Sequence, residues 1–215
     1  MFLSSSLFYF FIAHLLPVSV VGSISLLYAI MNIMAVVFVF GLSKGVQHYL
    51  SYHLARENHR AVMKLMKQTI AFAIILALAA FSFIYFSSGE IAILFFHSSA
   101  YVLSIKLIGI AIAGSVMISV SGSMLLGLNQ YKKYSLISIF INIFTYFFPL
   151  SMLFITGKSV YLIAGLATIN IISAMLFMIF VYKVYNRLSG LQTKAVKEPY
   201  RNHHKTSYCN SNKLY

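Results

Sequence analysis

The side chains able to do chemistry in this chain are few, and nearly all of the charged ones are basic. Between Gly41 and Gln68 stand Lys44, Arg56, Arg60, Lys64 and Lys67, against the single acid Glu57. Lys44, His48 and Arg56 form a cationic stripe that suits a diphosphate, which such groups grip through charge-assisted hydrogen bonds. At the end of an apolar helix the same stripe equally suits an anchor to anionic lipid headgroups. The acids are Glu57, Glu90 and Glu198, and there is no Asp. Enzymes of prenyl and phospholipid-headgroup transfer use Asp clusters to hold Mg²⁺, because a hard cation needs oxygen ligands. No such cluster can be assembled here, so the expectation is a non-enzyme without metal or other cofactor. The one cysteine, Cys209, supports neither a disulfide framework nor a thiolate metal site. Ser121-Gly122 fails as an intramembrane serine protease motif: no later span holds a His to act as base, and Ser119 stands where that motif wants Gly.

Three strongly polar side chains, Asn32, Asn142 and Asn170, interrupt long apolar runs. Polar groups inside a span either line a polar cavity or hold helices together by hydrogen bonds, and both readings stay open. Ser115, Ser119 and Ser123 recur at every fourth residue, with Gly114 and Gly122 beside them. This small-residue face is expected to let a neighbouring helix approach closely.

The elements that must position these groups are membrane helices. Of 215 residues, 60% are hydrophobic and 9% charged, with a mean hydropathy of +0.88. So few charges cannot coat a soluble surface of that size, and lipid must be the solvent. The pattern predicts an all-α, polytopic membrane helix bundle of about six spans at 2–16, 18–42, 69–86, 107–128, 135–155 and 159–182. The first is short, about 24 Å against a hydrocarbon core of roughly 30 Å, as if the start of a spanning helix were missing. Beyond Gly41 the apolar positions Val46, Leu50 and Leu54 predict that the second helix continues, breaking at Glu57-Asn58-His59. Ser87 to Glu90 reads as an external turn, followed by an interfacial apolar segment at 91–96. Pro149 is expected to kink its helix, and the polar stretch 186–215 to be a disordered tail.

A net charge of +13 invites a nucleic-acid reading, but the positive residues lie in loops and the tail, and no soluble basic face exists to track a backbone. Under the positive-inside rule, fourteen of the sixteen Lys and Arg fall on the cytoplasmic side, leaving Lys106 and Lys158 outside. Both termini are therefore expected in the cytoplasm, with the chain in the plasma membrane and membrane lipids as its first partners.

The run VVGSISLLYAI, the stretch FVFGLSKGVQHYLSYHLARENHRAVMKLMKQ and the segment GSMLLGLNQYKKYSLISIFINIF carry a family resemblance. In this order they resemble the N-terminal half of the oligosaccharide flippases of the multidrug/oligosaccharidyl-lipid/polysaccharide exporter superfamily, over about four-fifths of the chain. The resemblance implies one lobe of an alternating-access transporter that moves a polyprenyl-diphosphate-linked sugar between leaflets. Lys44, His48 and Arg56 match the family's cationic mouth by position. Family members carry roughly twice as many spans, so the resemblance implies a second copy, a separately encoded half, or a truncated reading frame. Two alternatives stand beside it: a non-transporting assembly protein of a polysaccharide-synthesis complex, and half of another secondary transporter.

Overall fold

The structure, a computed structural model, describes residues 8, 10–14, 16–39, 41–156 and 159–210, with side chains to 190. Regular structure among them is entirely helical: α1 (Val18–Val39), α2 (Leu42–Ala55), α3 (His59–Phe96), a single 3₁₀ turn (Ser99–Tyr101), α4 (Val102–Gly127), α5 (Tyr131–Thr156) and α6 (Ser159–Asn210). Five stretches are long and apolar enough to cross a membrane: α1, α3, residues 99–127, α5, and 160–190 within α6. The chain is thus an all-α, multi-pass membrane bundle. The short first span expected at 2–16 lies largely outside the described residues. Within it, Phe8 and Ile12 are buried, and the Phe8 ring lies 5.8 Å from Tyr28 and 5.4 Å from Tyr146.

Two expectations about continuity are corrected. The second helix does not run on past Gly41. That residue adopts φ 73°, a left-handed conformation that glycine enters without steric cost, and its carbonyl accepts from the Lys44 and Gly45 amides to start α2 afresh. The expected turn at Ser87 to Glu90 is helix, and α3 reaches Phe96 before His97 ends it at φ 49°. Its buried stripe, Ala73, Ala77, Ala80, Ile84, Ser88 and Ala92, passes through the Ser-Ser-Gly step at helical spacing. Ser88 Oγ donates to the Tyr85 carbonyl at 2.9 Å, so its hydroxyl is satisfied within the helix. Side-chain packing there outweighs the weak helix propensity of one glycine and two serines, which together cost about 2 kcal/mol.

The polar stretch from 186 belongs to α6 as far as Asn210, and 211–215 lie outside the described residues. Val181 and Val184 remain buried, with Leu188 packed against the same core. That spacing of three to four residues carries the helix beyond the last apolar run. By contrast, the break at Glu57-Asn58-His59 falls where the sequence puts it. Glu57 sits at φ 55°, and Asn58 Oδ1 caps α3 by accepting from the Ala61 amide at 3.1 Å. Pro149 stays within the continuous helix α5, buried, at a point where α6 comes close: a Cβ added to Gly165 would lie 3.0 Å from the Pro149 Cα.

Helix α4 is the axis of the bundle, touching every other helix. Along it lie two apolar cores. One gathers Ile105, Ile108 and Ile112 with Leu162, Leu166 and Leu153, and the other Val120, Met124 and Leu125 with Leu50, Met66 and Phe177. Within a bilayer such side chains gain close packing rather than escape from water, so shape complementarity decides which helices pair.

Candidate functional site: a polar cleft along the central helix

Alongside the second core the bundle opens into a cleft of about 560 Å³, within the range of about 300–1,000 Å³ usual for small-molecule sites. Helix α4 forms its floor. Ser115, Ser119 and Ser123 recur at four-residue spacing, so they fall on one face of the helix, and Gly122 lies beside them. Their hydroxyls are held in different ways. Ser123 Oγ donates back to the Ser119 carbonyl at 2.9 Å, while Ser119 and Ser43 share a hydroxyl hydrogen bond of 2.8 Å that ties α2 to α4.

Asn170 enters from α6 and is 8% exposed. Its Nδ2 donates to the Leu166 carbonyl at 2.9 Å. Ser115 Oγ has one proton and two acceptors in reach, the Ala111 carbonyl at 2.9 Å and Asn170 Oδ1 at 3.3 Å. The nearer carbonyl takes most of that proton, which leaves Asn170 Oδ1 with acceptor capacity for another donor.

Helix α5 supplies the opposite wall through Tyr134, Ser138 and Asn142. Asn142 Nδ2 donates to the Ser138 carbonyl at 2.6 Å, which fixes the amide along the cleft. Asn32 in the second half of α1 and Lys44 on α2 also line the cleft, and both are exposed. Lys44 is the one lining residue with a formal charge, so the cleft is a hydroxyl- and amide-rich space biased toward anions.

The structure therefore brings together four of the six proposed binding residues, Asn32, Lys44, Asn142 and Asn170. It does not bring in the other two. His48 is exposed with its ring beside Tyr49, and Arg56 is exposed with its guanidinium 4.3 Å from the Tyr52 ring centroid. Geometry explains the split: each four-residue step on a helix turns about 40°, so a stripe that begins at Lys44 winds away from the cleft by Arg56. Ser43, Lys44 and Gln47 stay on the inner side, and Ser51 Oγ anchors the helix to the Gly127 carbonyl at 3.1 Å.

The five residues expected to pack α4 against its neighbours divide in the same way. Gly114 lies outside the cleft and serves close approach: a Cβ there would lie 3.0 Å from the Asn170 backbone. Gly122 does both, lining the cleft while leaving room for the Tyr134 ring, 2.9 Å from its hypothetical Cβ. Ser115, Ser119 and Ser123 line the cleft and make the hydrogen bonds described above. Sequence reasoning missed Ser43, Gln47, Tyr134 and Ser138. The signal was present, since Tyr134, Ser138 and Asn142 share one face at four-residue spacing, as do Ser43 and Gln47.

Comparison of the chain with protein-family models, with curated proteins and with solved structures finds no match in any of the three.

Proposed function

We propose that this chain is one lobe of a flippase that carries lipid-linked oligosaccharides across the plasma membrane during polysaccharide biosynthesis and export. In this reading it is a transporter subunit rather than an enzyme. The distribution of Lys and Arg sets both termini on the cytoplasmic side. One observation carries the proposal: Asn32, Lys44, Asn142 and Asn170, from four separate helices, share one polar cleft inside a bundle whose outer faces are apolar.

The chemistry follows from what must cross. A polyprenyl tail can stay in lipid throughout, so only the diphosphate and its sugar need a wet path. Lys44 offsets the anionic charge at the mouth, and the serines and asparagines replace the water lost by sugar hydroxyls. A second lobe, from another copy or a separately encoded half, would close the side on which Asn32 and Lys44 are exposed, and rocking of the two lobes would alternate access.

The test is Lys44→Ala combined with Asn142→Ala in cells whose surface polysaccharide depends on this chain. Surface polymer should fall about tenfold while the chain's membrane level stays normal, since a charged hydrogen bond is worth about 1.5–3 kcal/mol. Full polymer at a normal protein level would overturn the proposal. Loss of polymer together with dispersal of the synthesis complex would identify an assembly protein instead.

A further inference from the structure

A second concave site lies on the outer surface, away from the cleft, where the first turn of α5 meets the later part of α6. It is a hollow of about 220 Å³ lined by Gln130, Lys133, Lys183 and Arg187, with Phe180 and Val184 as its apolar base. Three cations converge there, and among the described residues no acid side chain neutralises them. Of the three acids, Glu57 and Glu90 lie on other elements, and among the described residues no ion pair joins either of them to these cations. Lys183 Nζ rests 5.6 Å from the Phe180 ring centroid, a contact that holds the ammonium without cancelling its charge.

Further along the same two helices lies a separate apolar groove. The groove, about 450 Å³, is formed by Phe140, Phe144 and Phe148 of α5 and by Ile169, Ile172 and Leu176 of α6. On α5, Lys133 and Phe140 are seven residues apart, two helical turns, and the phenylalanines follow at every fourth position. On α6, Arg187, Phe180, Leu176 and Ile169 likewise fall on one stripe. The groove faces outward, since Phe140, Phe144, Ile172 and Leu176 are all exposed. From Phe180 to Ile169 the seam rises about 16 Å, a little more than half of a hydrocarbon core of roughly 30 Å and so about one leaflet deep.

We infer that this seam is a binding site for one anionic phospholipid of the leaflet at the basic end of the bundle. The phosphate sits among Lys133, Lys183 and Arg187, and an acyl chain lies in the phenylalanine-walled groove. A hollow with three cations that no described acid neutralises suits an anion, and an exposed groove about one leaflet deep, further along the same two helices, suits an apolar chain covalently attached to that anion. Free phosphate satisfies only the first half, and a zwitterionic lipid presents an ammonium that the cations repel. The inference requires only that the chain lie in a bilayer, so it stands apart from the flippase reading.

The absence of Trp from the chain provides a clean probe. Ile172→Trp places a single indole in the exposed wall of the groove, and Leu78→Trp places one on an exposed face elsewhere. Each full-length variant is reconstituted in phosphatidylcholine vesicles containing a small fraction of brominated lipid, either phosphatidylglycerol or phosphatidylcholine. The Ile172→Trp indole should be quenched at about tenfold lower brominated phosphatidylglycerol than brominated phosphatidylcholine, and the Leu78→Trp indole should show no preference beyond about twofold. Adding Lys133→Gln and Arg187→Gln should remove the preference, whereas Arg60→Gln with Lys64→Gln, the same loss of charge elsewhere, should leave it. Phe140→Trp is a second reporter from the other wall and should repeat the result.

Any of three quenching results would overturn the inference, besides the competition result given next: equal quenching by both lipids at Ile172→Trp, a preference that survives loss of Lys133 and Arg187, or equal loss in the Arg60 and Lys64 control. Glycerol 3-phosphate added to the vesicles should not shift the quenching. If it abolishes the preference, the hollow is a soluble-phosphate site and the lipid assignment fails.

Discussion

Two large concavities of similar size and opposite chemistry are built on α4. The cleft of about 560 Å³ is lined by Ser115, Ser119, Ser123, Lys44 and three asparagines. The groove of about 460 Å³ on another face, between α3, α4 and α6, is lined by Ile110, Ala113, Met117, Phe81, Leu78 and Met175. Gly114 and Ser115 are neighbours in sequence, yet Gly114 borders the groove and Ser115 the cleft. The usual rule of soluble proteins is reversed: the outward surface is apolar and the inward space polar, because the surrounding solvent is hydrocarbon and an unmet hydrogen-bonding group facing it costs several kcal/mol. A one-residue step around the helix therefore separates two solvents.

That contrast can be broken most directly by asking where water goes. In a Cys209→Ala background, Ser119→Cys should react with a charged, membrane-impermeant thiol reagent about a hundredfold faster than Met117→Cys, because only a hydrated site supports the thiolate. Equal rates would mean that the two concavities do not differ in hydration. Next in size is the wall between α2 and α4. A Cβ at Gly127 would lie 2.9 Å from the Gln47 carbonyl oxygen and 2.9 Å from the Leu50 Cβ. Gly127→Ala should lower stability in detergent by about 2 kcal/mol, read from the loss of monodisperse protein on heating, while Gly22→Ala, which meets nothing within 4 Å, should not.

Smaller effects sharpen the contrast further. Ser43→Ala removes the hydroxyl partner of Ser119 and should cost about 0.6 kcal/mol in the same heating measurement, the usual worth of one interhelical hydrogen bond in a membrane. The smallest effect is expected for His48→Ala with Arg56→Ala. These residues lie outside the cleft, so the Ser119→Cys labelling rate should stay within about a factor of two. A large fall would place them at the mouth after all.

Much of the fold was legible in the sequence, because long apolar runs leave little choice of solvent or of secondary structure. The break at Asn58 was legible too, since the Glu57-Asn58-His59 cluster interrupts the apolar periodicity of Val46, Leu50 and Leu54. What misled were local signals taken without their neighbours. Ser87-Ser88-Gly89 has the composition of a turn, but Ile84, Ser88 and Ala92 bury one continuous stripe through it. Gly41 has the reverse history, since periodicity argued for continuation and a left-handed glycine ended the helix. The polar segment after Tyr182 hid Val184 and Leu188, whose contacts with the core carry α6 onward.

For the cleft, the sequence by itself determined the inventory. Three asparagines, a serine stripe and a basic helix end were recognisable as groups that a hydrocarbon solvent would not tolerate on the outside. Only the tertiary structure decided which of them meet. Asn32, Asn142 and Asn170 are far apart in the chain and lie on separate helices, and nothing local fixes their distance. Lys44 joined them while His48 and Arg56 did not, because the glycine break re-aimed α2 and the helical winding carried the later cations away. Periodicity sets which face of its own helix a side chain occupies, but the crossing of helices sets what that face looks at, and the crossing depends on close contacts such as Gly114 against Asn170 and Gly127 against Gln47 that no single segment encodes.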